Sequence, residues 1–129
     1  MALPNGAGGY QVGDGNLTEV QINVQGAPTA KTAAATLTAA ELTSGIITYN
    51  GAAANLTLPT AADTEALVSS AKDNSSFDVI IINTGSNTAT VVAGTGWTLV
   101  GTATVATAVS AQFRARRTAS GAWTLYRIA

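Results

Sequence analysis

Short runs of β-branched and aromatic residues fill the second half of the sequence and constrain its fold more than any other feature. They cover residues 77–83, 88–93, 97–101, 108–116 and 123–128, with glycine, serine and asparagine between them. Such runs at intervals of about 10 residues are typical of small sandwiches and barrels. The sequence therefore predicts an all-β fold, either a small β-sandwich or a jelly-roll-like barrel.

Two more strands are predicted before these runs. Residues 46–49 and 55–58 are apolar segments on either side of the turn dipeptide Asn50-Gly51. Residues 77–82 form the only nearly continuous apolar run, which is typical of a central strand with both faces covered. We expect this strand to lie in the middle of a sheet.

One short helix is expected among the strands. Thr60 can cap a helix that continues to about Ser69, with Ala62, Ala66 and either Val68 or Leu67 facing inward. The similar segment 38–41 has the Thr-x-x-Glu pattern of a capping box but is followed at once by Gly45 and β-branched residues, so only about one turn is expected there. The two segments are similar in sequence and form a weak internal repeat.

The first 17 residues have the composition of an extended arm. They contain five glycines and the turn dipeptides Asn5-Gly6 and Asp14-Gly15, without a period typical of helix or strand. The sequence therefore predicts an N-terminal arm over residues 1–17.

An alternating segment begins at Thr18. Val20, Ile22 and Val24 alternate with polar residues, a pattern that predicts a half-buried strand. We expect residues 18–129 to form a single β-rich domain, since a chain of this length can bury one modest core.

The composition favours permanent assembly with other proteins. Charged residues make up 10% of the chain, against about 25% in an average soluble domain, and there are 26 alanines and 20 threonines. A surface of small uncharged side chains loses little entropy and desolvates few charges when a partner covers it. The net charge of −1 favours neither nucleic acid nor an acidic membrane as partner. No secretory signal or membrane-spanning segment is expected.

The residue inventory argues against catalysis. Histidine and cysteine are both absent, which removes the commonest general base, the thiol nucleophile and the usual transition-metal ligands. Asp63, Glu65 and Asp73 lie on or beside the expected helix, and Asp78 flanks an apolar strand. Carboxylate catalysis by these residues is the alternative, but we expect structural roles. The sequence predicts no enzymatic activity, no metal and no cofactor.

Four arginines are the candidate contact residues of the domain. Arg114 and Arg116 share one face of a predicted strand, Arg117 is adjacent, and Arg127 belongs to the neighbouring strand. They are either a solvated strand pair or the source of salt bridges to a partner or between subunits.

The two tryptophans also have two interpretations. Trp97 and Trp123 are two of only seven aromatic residues, so we expect them to anchor the core. The alternative is an exposed platform for stacking on sugars, as in a carbohydrate-binding β-sandwich.

The chain resembles the small capsid decoration (cement) proteins of tailed bacteriophages, particularly those of cyanophages. The resemblance lies in the opening MALPNGAGGYQVGDGNL, in SFDVIIINTGSNTATVVAGTGWTLVG and in the terminal FRARRTASGAWTLYRI. It implies a homotrimer on the outer surface of a virion capsid that clamps subunits of the major capsid protein. The family carries no catalytic motif. A phage fibre or receptor-binding module, which would also be β-rich and trimeric, is the alternative.

The arm is the part expected to hold the capsid. A glycine-rich segment loses much backbone entropy when it becomes ordered, so it should order only when its amides pair with a partner. β-augmentation, in which the segment adds a strand to a sheet of the partner, is the expected docking mode. Tyr10 and Leu17 are the expected apolar anchors. The predicted capsid-binding residues of the arm are Leu3, Asn5, Tyr10, Val12, Asp14 and Leu17.

Overall fold

The computed structural model describes residues 22–129, which fold into two β-sheets around a common core. Strands account for 44% of the described residues and two short helices for 11%. The predicted all-β, sandwich-like class is therefore confirmed.

Ten strands and two helices follow one another along the chain. They are β1 (Thr29–Lys31), β2 (Ala35–Thr36), α1 (Ala39–Thr43), β3 (Ile46–Tyr49), β4 (Ala54–Thr57), α2 (Ala61–Leu67), β5 (Ser76–Asn83), β6 (Ala89–Val92), β7 (Trp97–Val100), β8 (Thr104–Val105), β9 (Ser110–Ala119) and β10 (Ala122–Arg127). The six-stranded sheet has the order β1-β3-β5-β9-β10-β7, and the four-stranded sheet has the order β2-β4-β6-β8.

The first six strands are wound in parallel. The chain passes from the six-stranded sheet to the four-stranded sheet and back, so that β1, β3 and β5 are parallel neighbours in one sheet and β2, β4 and β6 in the other. The helices α1 and α2 provide the two returns. The weak similarity between the sequences of residues 38–41 and 60–63 thus marks a repeated strand-strand-helix unit. Because a jelly roll is built from antiparallel strands, the sandwich is the one of the two predicted forms that is found.

The last strands close the six-stranded sheet differently. β9 lies antiparallel to both β5 and β10, and β7 lies parallel to β10 at the edge. Here α2 packs against β10, and Glu65 of α2 binds the indole of Trp123.

The core consists of alternate side chains from both sheets. Its largest fully buried members are Trp123, Tyr49, Leu37, Leu42, Ile47, Leu56, Leu125, Val79, Val91 and Val105. Asn83 is the one buried amide among them, and its Nδ2 donates to the carbonyl oxygens of Asn87 and Val105, so that it does not remain unpaired. A period of two on β5 and β9 places these residues between the sheets.

Both helices begin at the predicted caps. Glu41 and Thr38 form the complete capping box of α1, and the Thr60 hydroxyl accepts from the Asp63 amide at the start of α2. The inward face predicted for Ala62 and Ala66 is wrong, because Ala61 and Thr64 are buried there instead. Of the other two candidates, Val68 packs against the core and Leu67 is exposed. Thr64 can face the core because its hydroxyl donates to the Thr60 carbonyl.

The strand predicted from Thr18 to Val24 is also wrong where the structure describes it. Residues 22–28 form no strand, and the side chains of Ile22 and Val24 are 89% and 100% exposed. Within the described part of the chain, no strand lies beside this segment, and sheet pairing begins only at Thr29. The alternation at Ile22 and Val24 therefore has no strand partner among residues 22–129.

The central position of β5 is confirmed, but the expectation that both of its faces are covered is wrong. β5 lies between β3 and β9. Val79 and Ile81 are buried, whereas Ile80 and Ile82 are only half-buried.

None of the described helices is long and apolar enough to cross a membrane.

Candidate functional site

The outward face of the six-stranded sheet brings side chains of several strands together. Strand register fixes its cross-strand rows. They are Thr48, Ile82 and Ser110; Ile46, Ile80 and Gln112; Asp78, Arg114, Tyr126 and Val100; and Ser76, Arg116, Thr124 and Thr98. We call this surface the outer face.

One half of the outer face carries isoleucines beside the polar residues Thr48, Ser110 and Gln112. Ile46, Ile80 and Ile82 are half-buried neighbours on β3 and β5. Ile128, whose amide donates to the Gln112 carbonyl, extends this group beyond β9 and is 51% exposed. We call these four residues the isoleucine patch. Gln112 lies between Ile80 and Ile128, so the patch is an apolar group interrupted by one polar side chain. Another protein can cover such a patch.

The other half of the outer face carries an acid-base pair. Arg114 donates from Nε to Oδ1 of Asp78 at 2.7 Å and from Nη2 to Oδ2 at 3.2 Å. The hydrogen bond from Arg114 holds the pKa of the Asp78 carboxyl below its usual value, and the pair in turn raises the pKa of Arg114. The two side chains are 50% and 40% exposed. Such a bidentate pair presents little net charge to a partner but keeps free hydrogen-bonding positions.

Arg116 lies on the same face and is fixed by two neutral groups. Its Nε donates to Oδ1 of Asn74 at 3.0 Å, and its Nη1 donates to the Tyr126 hydroxyl at 2.6 Å. The charge of Arg116 is therefore oriented without an acidic partner in these contacts.

The remaining two predicted arginines lie elsewhere. Arg117 donates from Nη1 to Oδ1 of Asp73 at 2.9 Å, and its Nε lies 3.5 Å from Oε2 of Glu65. Arg127 donates to the backbone carbonyls of Thr102, Thr104 and Ala129. The structure thus brings only Arg114 and Arg116 together on the outer face, and all four arginines have intrachain partners. Their role between subunits or toward a capsid stays a prediction.

Glu65 joins α2 to the β9–β10 hairpin. Its Oε2 accepts from the Gly121 amide at 2.6 Å and from Nε1 of Trp123 at 3.1 Å. Burial raises the pKa of Glu65, but these two hydrogen bonds and the Arg117 charge outweigh that effect, so the net pKa lies below the usual value. Two hydrogen-bond donors and the nearby Arg117 charge thus stabilise the ionised carboxylate, which joins α2 to the hairpin.

Both tryptophans are buried, which favours the core interpretation over a sugar platform. Trp97 is 7% exposed and Trp123 is 1% exposed. The Trp123 ring lies 5.7 Å from that of Trp97 and 5.6 Å from that of Phe77, between ring centroids. These distances are those of packed aromatic pairs.

A shallow groove of about 650 Å³ lies on the four-stranded side. Most of its lining consists of threonines, Leu37, Leu58, Pro59, Asp63 and the 93–95 loop. Asp63 is its only ionisable side chain. The groove therefore lacks the second titratable group that acid-base chemistry would use.

The acids do not gather into a metal centre in the described residues. Between Ile22 and Ala129, no three His, Cys, Asp or Glu side chains are placed to hold a metal ion. The predicted capsid-binding residues Leu3, Asn5, Tyr10, Val12, Asp14 and Leu17 lie outside the described residues.

Sequence reasoning missed the isoleucine patch. The run 77–82 is apolar on both faces, so its pattern does not reveal which face lacks a cover. The signal that could have located the patch is the β9 pattern, in which Gln112, Arg114 and Arg116 alternate with buried residues and so mark the outward side of the sheet.

Comparisons with known proteins give no match. No protein-family model matches the chain, and neither a curated protein nor a solved structure is detectably similar to it. The resemblance to decoration proteins therefore stays a prediction.

Proposed function

We propose that this chain is a structural capsid decoration protein that binds the outer surface of a phage head and stabilises contacts between major capsid protein subunits. In this proposal it acts as a homotrimer without enzymatic activity, metal or cofactor. The phage assignment comes from the resemblance of the arm and the β domain to that family.

The single structural observation that supports the proposal best is the outer face. It combines the isoleucine patch with the Asp78–Arg114 pair, so a partner could bury apolar area without desolvating an unpaired carboxylate. A half-apolar sheet face with a polar surround is the usual anatomy of a protein-protein contact. We place this face against the major capsid protein, with residues 1–17 reaching further across the shell.

A charge in the isoleucine patch tests this placement. Ile82→Glu would force a carboxylate into the contact, and we expect its affinity for expanded empty capsids to fall at least about tenfold, since an uncompensated charge in an interface costs several kcal/mol. The control is Thr90→Glu, which adds the same charge to a half-buried position on the four-stranded sheet. Equal affinity of the two variants, both folded and with unchanged mass, would exclude the outer face as the capsid-binding surface.

A further inference from the structure

We infer that residues 22–24 of one copy add a strand to the free edge of β7 in a second copy. This exchange would join copies of the chain head to tail. It deepens the proposed self-association and does not depend on what the oligomer decorates.

The donor is the segment Ile22–Val24, which pairs with no strand among residues 22–129. Ile22 and Val24 are 89% and 100% exposed, although their spacing is that of a strand with one apolar face. Isolated strands leave backbone groups and apolar side chains uncovered, so such a segment is stable only beside another sheet.

The acceptor is the edge strand β7, residues 97–100. β7 pairs with β10 on one side, and no other described strand pairs with it. Val100 is 48% exposed and Leu99 is half-buried. The strand carries no charge or proline, which are the features by which proteins protect free edges.

The other free edges fit the donor less well. β2 and β8 contain two residues each. β1 carries Lys31, which is held by Glu41 at 2.8 Å. By contrast, residues 22–24 and 97–100 are both uncharged, so their pairing would desolvate no ion.

The distance between the two elements requires a second copy. Gln25 is tied to the start of β3, because its Nε2 donates to the Ser44 carbonyl at 2.5 Å. From β3 to β7 there are four strand spacings, about 19 Å at about 4.8 Å each. Ile22 is three residues before Gln25 and can reach only about 11 Å from it. The segment therefore cannot pair with its own β7.

The placement of donor and acceptor also defines the kind of assembly. They lie toward opposite edges of the same sheet, so each copy would give a strand on one side and receive one on the other. Such a heterologous contact forms a closed ring when the rotation between copies closes. A trimer is the ring that the family resemblance predicts.

Engineered disulfides test the pairing directly, since the chain contains no cysteine. Asn23→Cys is combined with Thr98→Cys or with Val100→Cys, because paired strands bring Cα atoms within disulfide range and the two variants sample adjacent registers. After oxidation of the full-length protein, we expect at least one double variant to give covalent oligomers on a denaturing gel. The control combines Asn23→Cys with Ser86→Cys, an exposed turn residue. It should give at least about tenfold less covalent oligomer.

A charge on the donor provides a second measurement that does not need a particular register. Val24→Asp should raise the protein concentration below which the oligomer dissociates at least about tenfold above that of the unmodified chain. Asn23→Asp, on the polar side of the same segment, should leave this concentration unchanged. Only monomeric bands in both double variants, equal cross-linking in the control, or equal masses for the two aspartate variants would overturn the inference. A ring that forms but does not bind capsids would contradict only the proposed function.

Discussion

Glu65 and Trp123 connect the second helix to the last strand, through an indole hydrogen bond of 3.1 Å from Nε1 to Oε2. The same oxygen accepts from the Gly121 amide. One carboxylate therefore fixes the hairpin turn, the central aromatic residue and the helix relative to one another.

Removal of this carboxylate should lower the free energy of unfolding. Glu65→Ala leaves the Trp123 indole without its acceptor in a buried environment, which is unfavourable. Asp73→Ala is the matched control, because Asp73 also contacts Arg117 but its side chain is 63% exposed. Urea unfolding should show a lower midpoint for Glu65→Ala than for Asp73→Ala. Equal midpoints would contradict the structural role of Glu65.

The aromatic core should tolerate only conservative changes. Trp123→Ala removes the largest fully buried side chain, and we expect a loss of about 3–5 kcal/mol in the free energy of unfolding. Trp123→Phe should lose less, because the aromatic contact with Phe77 can be kept. Thermal unfolding followed by circular dichroism measures both. A Trp123→Ala protein of normal stability would support an exposed binding role instead.

The Gly94 turn should not accept a side chain. A turn joins β6 to β7, with the Trp97 amide donating to the Gly94 carbonyl. A Cβ at Gly94 would overlap the carbonyl oxygens of Leu58 and Pro59. We expect Gly94→Ala to cost about 1–3 kcal/mol in unfolding free energy, the usual range for overpacking. Gly26→Ala, where no atom lies within 4 Å of the new Cβ, is the control and should change stability little.

Acid should destabilise the fold through three carboxylates. The pKa of Glu41 is lowered, chiefly by the Lys31 hydrogen bond, and those of Glu65 and Asp78 are also lowered. A carboxyl whose pKa is lowered in the folded state stabilises the fold at pH values above its ordinary pKa, which is 4.5 for Glu41. That stabilisation is lost as the pH falls through the folded-state pKa. The melting temperature should therefore fall as the pH decreases below about 4.5.

Glu41→Gln is the matched variant for this pH dependence. It lacks one of the three titrating groups, so its melting temperature should decrease less between pH 5 and pH 3 than that of the unmodified chain. The same decrease in both proteins would show that Glu41 does not contribute.

The sequence predicts some parts of this molecule and not others, for physical reasons. Strand positions such as Ile46–Tyr49 are confirmed because β-branched runs between turn residues have few alternatives. The parallel winding was not predicted, since pairing partners depend on long-range packing that local patterns do not encode.

The candidate site shows the same division. The shared face of Arg114 and Arg116 follows from strand alternation and is confirmed. The partner of Arg114 depends on the register between β5 and β9, which places Asp78 opposite it. The alternation at Ile22 and Val24 predicts a strand that the structure does not form at residues 22–28, because a local pattern does not show whether a neighbouring strand is available for pairing.

Binding to expanded empty capsids, with the mass of the free protein measured in parallel, tests the central claim most directly. The full-length protein and a variant beginning at residue 18 are compared on the same capsids. We predict that removal of residues 1–17 abolishes or greatly weakens capsid binding and leaves a folded oligomer of unchanged subunit number. Undiminished binding by the shortened protein would contradict the arm-mediated attachment on which the proposed function depends.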